Sequence, residues 1–462
     1  MTLIKSISGI RGTIGGRAGE ALTPTDVVKF TSAYAAFTAE RHPNKRLKVV
    51  IGRDARISGE VVANLCASTL QSMGIDVLDL GLSTTPTVEL AVAHTGAHGG
   101  IILTASHNPT QWNALKLLNE KGEFISAADG ARVLELAEGN EVQFAPVEKL
   151  GTRTADASWL QKHIDAVLAL PLVDVEAIRA AKMKIAVDAV NSTGGTFIPA
   201  LLEALGVETV HKLYCEPTGH FPHNPEPLPE HLTELSALIV ETSADLGISV
   251  DPDVDRLALV CEDGTMFGEE YTLVAVSDYV LTHTPGSTVS NLSSTRALRD
   301  VTEGHGQRYT ASAVGEVNVV EAMKATNAVI GGEGNGGIIY PESHFGRDAL
   351  VGIGLFLTHL AKSGKKASEL RASYPSYFMA KKKVDLEAGM DVDGLLAEMA
   401  AAYVSEQVTT VDGVKIDFAD RWVHLRKSNT EPIVRIYTEA PSAEAANELA
   451  NRFIEELTER AQ

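Results

Sequence analysis

Short apolar runs alternate with amphipathic segments over most of the chain. Residues 47–105 are predicted to form a strand, a helix, a strand, a helix and a final strand, GGIILTA. The alternation restarts near Met183 with KIAVDAV and near Gly286 with STVSNL. A repeated strand–helix–strand order predicts α/β domains, each built on a sheet with parallel strands.

The last ninety residues follow another pattern, in which two helical segments flank short alternating strands. Such a run is typical of an α+β module. We therefore predict three α/β domains followed by a C-terminal α+β domain. Their predicted bounds are 1–154, 155–259, 260–372 and 373–462.

The composition disfavours several classes of partner. The 462 residues include 60 acidic side chains against 40 Lys and Arg, a net charge of -20, which disfavours nucleic acid and anionic membranes. Three scattered cysteines are too few for a disulfide framework or a thiolate zinc site. No apolar run is long enough to span a bilayer, and the first residues lack a secretory apolar core. We expect a cytoplasmic protein with no nucleic-acid or membrane partner.

The first candidate site follows the strand GGIILTA. Ser106, His107, Asn108 and Pro109 come directly after it, where the ligand-binding loops of α/β sheets lie. A serine hydroxyl can carry a phosphoryl group, and the neighbouring His and Asn side chains supply hydrogen-bond donors. The alternative is a plain turn, because turns favour the same residue types.

Lys116 lies ten residues further on, in the segment NALKLLNE. Its leucine neighbours would hold the lysine stem against apolar surface. We expect partial burial to lower the pKa of Lys116 and to suit it to proton exchange with a substrate hydroxyl. A solvated lysine is the alternative.

The second candidate site is an acidic loop between two apolar strands. Asp251, Asp253 and Asp255 alternate along it and so place three carboxylates on one side, followed by Arg256. Carboxylates this close repel one another unless a cation joins them, and Mg²⁺ prefers oxygen ligands. A calcium-binding EF-hand loop is disfavoured, because its sixth position would be Arg256 where the turn requires glycine.

The third candidate site is the glycine-rich stretch 331–337, which surrounds Glu333 and Asn335 with five glycines. Glycines allow the backbone to approach a ligand closely. Glu333 can accept hydrogen bonds from two adjacent hydroxyls, and we predict that the loop follows a strand ATNAVI. A flexible turn is the alternative.

The fourth candidate site joins two strands of the last module. It combines Arg426 with Ser428, Asn429 and Thr430, and Arg435 returns on the second strand. A guanidinium with hydroxyls and an amide can hold a phosphate group in an otherwise acidic protein. A polar hairpin without a ligand is the alternative.

Together these segments resemble the α-D-phosphohexomutase superfamily over essentially the whole chain. Residues 104–109 read T-A-S-H-N-P and residues 251–256 match D-P-D-x-D-R. Residues 9–12 match G-I-R-G, and residues 52–56 match a further stretch of the first domain. The order of the four loops agrees as well, with one loop in each predicted domain.

The resemblance implies roles for individual residues. Ser106 would be the phosphoserine, supported by His107 and contacted by Arg11, and Lys116 would be the general acid and base. Mg²⁺ would be bound by the phosphorylated serine and the three aspartates. The implied substrate-binding residues are Arg256, Glu333, Asn335, Arg426, Ser428, Asn429, Thr430 and Arg435.

The resemblance also implies an architecture and a reaction. Such proteins place four domains around a central cleft and move a phosphoryl group between O1 and O6 of a hexose phosphate. A hexose 1,6-bisphosphate is the intermediate and activator, and a hexose phosphate is the substrate. The loop Glu-Gly-Asn-Gly-Gly, with Gly337 where relatives often have histidine, favours glucosamine phosphate; glucose or mannose phosphate is the alternative.

Two other functions remain open. One is a metal-dependent phosphatase that uses Asp251 as its nucleophile and transfers phosphate to water. The other is a sugar-phosphate sensor without activity, which the presence of Ser106, Lys116 and all three aspartates disfavours.

Overall fold

The computed structural model describes residues 2–6, 9–139, 142–385, 390–427 and 433–460. Its packing divides the chain into two compact units, residues 1–272 with 336–370 and residues 273–335 with 371–462. Within the described residues, no helix combines the length and the apolarity that crossing a membrane requires.

The first sheet has seven strands in the order β1-β2-β6-β5-β3-β4-β7. The strands are β1 Leu3–Ser6, β2 Gly9–Thr13, β3 Lys48–Arg53, β4 Asp76–Leu82, β5 Gly99–Leu103, β6 Trp112–Leu118 and β7 Arg153–Ala155. Its helices are α1 Pro24–Arg41, α2 Gly59–Ser72, α3 Thr85–Thr95 and α4 Ala127–Glu138. Strands β3, β4, β5 and β7 pair in parallel, and β6 runs antiparallel to β5 and β2.

Helices cover both faces of this sheet. Along β3, Val49 and Ile51 belong to the apolar cluster that contains Phe30 of α1, whereas Val50 packs in a second cluster with Val88 of α3. A strand buried on both faces needs apolar residues at successive positions, which explains the uninterrupted run KVVIG.

The second sheet has the order β11-β10-β8-β9. Its elements are α5 Trp159–Leu168, α6 Val175–Ala181, β8 Lys184–Asp188, α7 Gly194–Ala204, β9 Thr209–Leu213, α8 Thr233–Thr242, β10 Leu246–Val250 and β11 Leu257–Cys261. Every residue of β10 and of β11 is buried. These two antiparallel strands hold the acidic loop 251–256 between them.

The next elements begin with α9 Glu269–His283, β12 Thr288–Asn291, α10 Ala297–Gly304, β13 Tyr309–Ser312, α11 Glu316–Thr326 and β14 Ile330–Glu333. They continue with β15 Gly337–Ile339, α12 Ala349–Ser363 and α13 Ala367–Ala372. Strand β12 lies between β13 and β14 and pairs with both in parallel.

The strand predicted for the segment ATNAVI is wrong in position. Residues 325–326 end α11, and β14 begins only at Ile330 and ends on Glu333. Glycines 331 and 332 pair with β12 in spite of their low strand propensity. A side chain at Gly331 would lie 2.7 Å from the backbone oxygen of Val289 in β12 and 2.6 Å from Met323 Sδ of α11, so this position between strand and helix favours glycine.

The last five strands form an antiparallel sheet in the order β16-β20-β19-β18-β17. Its elements are β16 Phe378–Asp385, α14 Val392–Ala402, β17 Gln407–Thr409, β18 Val414–Asp417, β19 Trp422–Lys427, β20 Ile433–Ala440 and α15 Ala443–Arg460. Both helices pack on one apolar cluster of this sheet. The predicted α+β module is confirmed, as are the α/β domains before it.

A buried network of ionisable side chains connects α3, α5 and α12 in the first unit. His163 Nε2 lies 2.8 Å from Asp348 Oδ2, and His344 Nε2 lies 3.1 Å from the same oxygen. His344 Nδ1 also lies 3.3 Å from Glu89 Oε2. Burial alone would lower the pKa of His344, but Asp348 and Glu89 outweigh it and raise the pKa to about 10.

We expect this histidine to make stability depend on alkaline pH. A pKa that is raised on folding contributes its full stability below the unfolded value of 6.5 and loses it as pH rises towards about 10. Urea unfolding at pH 6 and at pH 10 should therefore show a larger loss of unfolding free energy for the natural protein than for His344→Gln. Equal losses in the two proteins would contradict this assignment.

Candidate active site

Ser106 begins the turn that follows β5, and its backbone is strained. Its φ of 50° lies in the left-handed region, which residues other than glycine rarely adopt. Ser106 N donates to Thr104 Oγ1 at 2.9 Å, and the side chain is buried. Strained residues of this kind cluster at functional sites, where the surrounding structure holds them in place.

A buried arginine holds the backbone of this turn. Arg56 donates to the carbonyl oxygens of Ser106 at 2.5 Å, of Asn108 at 2.6 Å and of Pro109 at 2.8 Å. Asp54 Oδ2 accepts from Arg56 Nε at 3.0 Å and so orients the guanidinium. Arg56 is therefore the main contact that fixes the position of the serine turn.

The acidic loop lies directly opposite the serine. Ser106 Oγ donates to Asp251 Oδ2 at 2.8 Å, across 145 residues of sequence. The carboxylates of Asp251, Asp253 and Asp255 are fully buried, and ligand oxygens from all three lie within 4.8 Å of one another. Val254, between them, also has a positive φ of 63°, although it is β-branched.

The three carboxylates keep oxygens available for a cation. Asp253 Oδ1 and Asp255 Oδ1 are buried and have no hydrogen-bond partner among the described residues. Leaving two buried carboxylate oxygens unpaired is costly unless a cation neutralises them. This donor set, all oxygen and rich in charge, fits Mg²⁺.

The second oxygen of each of these two carboxylates is held by protein donors. Lys116 Nζ lies 2.7 Å and Thr85 Oγ1 lies 2.5 Å from Asp253 Oδ2. Arg347 Nη2 donates to Asp255 Oδ2 at 2.7 Å, and Lys116 Nζ lies 3.4 Å from that oxygen. These contacts orient the two carboxylates. They leave Asp253 Oδ1 and Asp255 Oδ1 available to bind a cation.

The charges of the cluster shift the carboxyl groups in opposite directions. Burial, together with Asp255 and Asp253, raises the pKa of Asp251 well above its ordinary value. Burial also acts on Asp255, but Arg347, Lys116 and Arg256 outweigh it and hold its pKa below the usual range. A divalent cation would favour the ionised form of Asp251 as well.

The predicted lowering of the Lys116 pKa is wrong. Burial does act to lower it, but the carboxylates of Asp253 and Asp255 outweigh burial and raise the pKa above its ordinary value. The error has a physical cause, since the flanking leucines are visible in the sequence and the carboxylates, 137 and 139 residues away, are not.

Three polar side chains surround the serine turn. Burial, Arg256 and Arg11 together lower the pKa of His107 to about 2, so its imidazole is neutral, and Nδ1 lies 3.3 Å from Ser106 Oγ. Arg11 Nη1 donates to Asn108 Oδ1 at 2.7 Å. Arg256 Nε lies 3.9 Å from Asp251 Oδ2. This side of the turn is therefore cationic and suited to an anionic group.

The other candidate residues lie in the second compact unit. Glu333 is buried, and its Oε1 accepts from Asn291 Nδ2 at 2.8 Å and from Gly315 N at 3.1 Å. Asn335 is half-buried two residues later.

Two arginines face each other in the last sheet, where Arg426 pairs across strands with Arg435. Arg426 Nε lies 2.9 Å from Asp412 Oδ2, and Arg435 is exposed. The predicted contacts Ser428, Asn429 and Thr430 lie outside the described residues.

Sequence reasoning missed three contacts in the first unit. Arg56 belongs to a stretch that resembled the superfamily, but nothing local indicated that it holds the serine turn. Thr85 and Arg347 carry no local signal at all, because their partners Asp253 and Asp255 lie 168 and 92 residues away.

Sequence models of one family match nearly the whole chain, as four consecutive domains. The models of phosphoglucomutase/phosphomannomutase α/β/α domains I, II and III match residues 3–143, 161–264 and 268–377. The model of the C-terminal domain matches residues 380–456.

Individual relatives support the same assignment. A phosphoglucomutase/phosphomannomutase of Thermococcus kodakarensis is 36% identical over 97% of this chain and 98% of its own length. A probable phosphoglucosamine mutase of Methanopyrus kandleri is 32% identical over 97% and 96%. The solved structure of a putative phosphomannomutase from Thermus thermophilus has a TM-score of 0.82 at 27% identity, and the match covers 98% of this chain and 99% of that one.

Proposed function

The chain belongs to the phosphoglucomutase/phosphomannomutase family, and from this premise we propose that it interconverts hexose 6-phosphate and hexose 1-phosphate through phosphorylated Ser106. It is an isomerase of the phosphohexomutase class. The observation that carries the proposal is the hydrogen bond from Ser106 Oγ to Asp251, beside two buried carboxylate oxygens that lack a partner among the described residues.

Each half-reaction exchanges one oxygen–phosphorus bond for another. The phosphoryl group leaves Ser106 Oγ for a sugar hydroxyl, and the other phosphate of the resulting hexose 1,6-bisphosphate then returns to Ser106 Oγ. The hydroxyl that attacks loses a proton, and the oxygen that leaves gains one. Arg56 holds the serine turn, and Arg11 and Arg256 place positive charge beside it.

Mg²⁺ is the cation that we propose for the acidic loop, with Asp251, Asp253, Asp255 and the phosphorylated serine as its ligands. When bound, it would neutralise charge on the phosphoryl oxygens. Thr85 and Arg347 hold the aspartates in the required orientation.

Lys116 is the group that we propose to exchange protons with the sugar. Its pKa is raised, so the ammonium form prevails and also offsets negative charge on the transferring phosphoryl group.

We expect Lys116→Met to lower kcat by about 10²–10⁴-fold, the range typical of losing a general acid or base. Steady-state kinetics and thermal unfolding should be measured beside Lys121→Met, an exposed lysine in the following turn. The role of Lys116 is refuted if kcat falls less than tenfold in a folded variant.

The remaining phosphate of the substrate is proposed to contact Arg426, Ser428, Asn429, Thr430 and Arg435. Glu333 and Asn335 are proposed to contact the sugar. The hydrogen bonds from Asn291 and Gly315 support this role for Glu333, because they hold its carboxylate in one orientation at the end of β14.

Glucosamine phosphate is the substrate that we propose, with glucose or mannose phosphate as the alternative. The loop Glu333-Gly334-Asn335 and the relative from Methanopyrus kandleri support the amino sugar, whereas the relative from Thermococcus kodakarensis supports the alternative. A buried carboxylate such as Glu333 would stabilise a charged amino group.

We expect kcat/KM to be higher for glucosamine 1-phosphate than for glucose 1-phosphate or mannose 1-phosphate. The comparison needs one enzyme preparation and a saturating concentration of the matching bisphosphate. A tenfold preference for glucose 1-phosphate would decide for the alternative substrate, without affecting the proposed mechanism.

A phosphatase that uses Asp251 as nucleophile is the rival reaction. Both oxygens of Asp251 already accept hydrogen bonds, from Ser106 Oγ and from Arg256 N, which disfavours attack by this carboxylate. Release of inorganic phosphate from a hexose phosphate, at a rate that matches turnover, would favour the rival.

The four domain bounds predicted above remain part of the proposal, and the separate spans of the four family models support them. A cytoplasmic location is proposed too. The hexose phosphate substrate and the three free thiols, Cys66, Cys215 and Cys261, support it.

A further inference from the structure

The second compact unit contains a cavity of about 670 Å³ that the proposed reaction does not use. Its walls come from α10, from the edge strand β13, and from strands β17 and β18 of the last sheet. Four basic side chains line it: Arg296, Arg299, Arg308 and Lys415. None of the substrate-binding residues proposed above belongs to the described lining.

Lys415 is the most buried of these cations. It lies on β18 between Val414 and Ile416, which belong to the apolar core, and only 6% of its surface is exposed. Its Nζ lies 4.3 Å from the centre of the Trp422 ring. Among the described residues, Nζ has no acceptor within hydrogen-bond distance and no carboxylate within ion-pair distance, although the side chain as a whole is buried.

The two neighbouring arginines also have unused donors. Arg296 Nε and Nη1 are buried without a hydrogen bond in the described part of the chain, and Nη2 donates to Ala419 O. Arg299 forms only loose ion pairs there, at 3.6 Å to Asp417 and at 4.0 Å to Asp300. Burial is the main cause that lowers the pKa of Lys415; the carboxylates of Asp417 and Glu439 oppose it, and Arg299 and Arg296 add to it.

Three carboxylates line the cavity as well, but they do not satisfy these donors. Asp300 accepts from Tyr377 Oη at 2.6 Å, and Glu303 is exposed. Asp417 Oδ1 is buried without a hydrogen bond among the described residues, and its nearest cation is Arg299. Arg296, Arg299 and Lys415 therefore line one space, and several of their N–H groups have no hydrogen-bond acceptor among the described residues.

We propose that this cavity binds a small phosphorylated metabolite, whose phosphate group lies between Arg296, Arg299 and Lys415. A phosphate dianion offers several acceptor oxygens, and guanidinium groups bind phosphate with two parallel hydrogen bonds. The volume exceeds that of phosphate alone and leaves room for a sugar or a nucleoside. Because β13 and β18 belong to different sheets, the ligand would connect the two sheets of this unit and act as an effector.

The test is calorimetric titration of the full chain with inorganic phosphate at constant ionic strength. Phosphate is also expected to bind at Arg426 and beside Arg11 and Arg256, so the titration is carried out in the Arg426→Gln background, and binding that the cavity substitutions leave unchanged is assigned to the serine turn. Adding Arg299→Gln or Lys415→Met should weaken the remaining binding at least about tenfold, the effect of losing one charge-assisted contact. Methionine keeps the stem of Lys415 against Trp422.

Two further variants keep the test decisive. Arg308→Gln removes a cation at an exposed position, so the substitution does not disturb packing in the interior. It should weaken phosphate binding measurably. Arg460→Gln removes the same charge at an exposed helix end outside the cavity and should leave binding unchanged. With the natural Arg426, the cavity variants should keep hexose phosphate turnover within about twofold when no effector is present.

Equal phosphate affinity in the three cavity variants and in Arg460→Gln would overturn the proposal, and so would complete loss of binding in Arg426→Gln alone. If Arg426→Gln binds phosphate as the natural protein does, only the role of Arg426 in the proposed function fails. Hexose 6-phosphate and ADP are then titrated in the same way. The compound that binds more tightly than phosphate to the natural cavity, but not to Lys415→Met, identifies the ligand class. Equal affinities for all three make inorganic phosphate itself the ligand.

Discussion

Replacing Ser106 with alanine should reduce phosphohexomutase turnover by about four orders of magnitude or more, the scale expected for loss of a catalytic nucleophile. The reason is geometric. Ser106 Oγ is the oxygen that faces Asp251 in the carboxylate cluster, and its turn is fixed by Arg56. Another hydroxyl could take this place only if the turn moved.

Two measurements check this expectation. The first is steady-state turnover with a hexose 1-phosphate, and the second is mass spectrometry of the digested protein after incubation with a hexose 1,6-bisphosphate. Phosphate should be found on the peptide that contains Ser106 and should be absent from the alanine variant. Ser72→Ala serves as the control, because Ser72 is half-buried at the end of α2 and its hydroxyl donates only to the backbone oxygen of Ser68 among the described residues.

Removing Ser106 Oγ deletes two side-chain hydrogen bonds among the described residues, with Asp251 and His107, and takes a donor from the buried Asp251 Oδ2, so thermal unfolding of the variant has to be measured beside its turnover. A folded alanine variant with undiminished turnover would end the proposed mechanism. Phosphate found on Asp251 would instead support the phosphatase.

The second large effect is expected for Asp255→Asn. Asp255 Oδ1 is one of the two oxygens without a described partner, and asparagine supplies a neutral and weaker ligand at the same place. Loss of partners that merely orient a metal ligand costs about 10–100-fold in affinity, so loss of a ligand's charge should cost at least about 100-fold. Turnover at a fixed magnesium concentration should fall accordingly.

Metal binding can be measured without any substrate. Titration calorimetry with Mg²⁺, and the rise of the unfolding temperature on adding Mg²⁺, should both show the loss. Asp263→Asn is the matched control, because Asp263 lies exposed after β11, where its side chain accepts hydrogen bonds from Thr265. Unchanged magnesium affinity in Asp255→Asn would remove this aspartate from the proposed ligand set.

The same substitution has a predictable side effect on Arg347. Its guanidinium now donates to Asp255 Oδ2 at 2.7 Å, and it is almost fully buried. Asparagine can still accept this hydrogen bond, but the buried charge of Arg347 would lose its ion pair with Asp255. Unfolding in the absence of Mg²⁺ therefore has to be measured beside metal affinity, to separate the two effects.

The local pattern of apolar and polar residues predicted the order of helices and strands well, because the residues of each element show which of its faces is buried. The run KVVIG in β3 and the buried strands on both sides of the acidic loop are examples. The pattern failed just before Glu333. There two glycines continue strand β14, because β12 pairs with them and α11 packs close to the backbone of Gly331. Pairing and packing of this kind depend on distant segments.

The sequence by itself determined the succession of α/β and α+β domains, the candidate loops and the family to which they belong, because spacing within a loop is a local property. Only the tertiary structure decided which charged side chains lie close to one another. It raised the pKa of Lys116 where burial alone predicted the opposite, and it brought Arg56 to the serine turn and Arg347 to Asp255. The physical reason is that electrostatic energy depends on distance in space, and these partners are 50 to 139 residues apart in the chain.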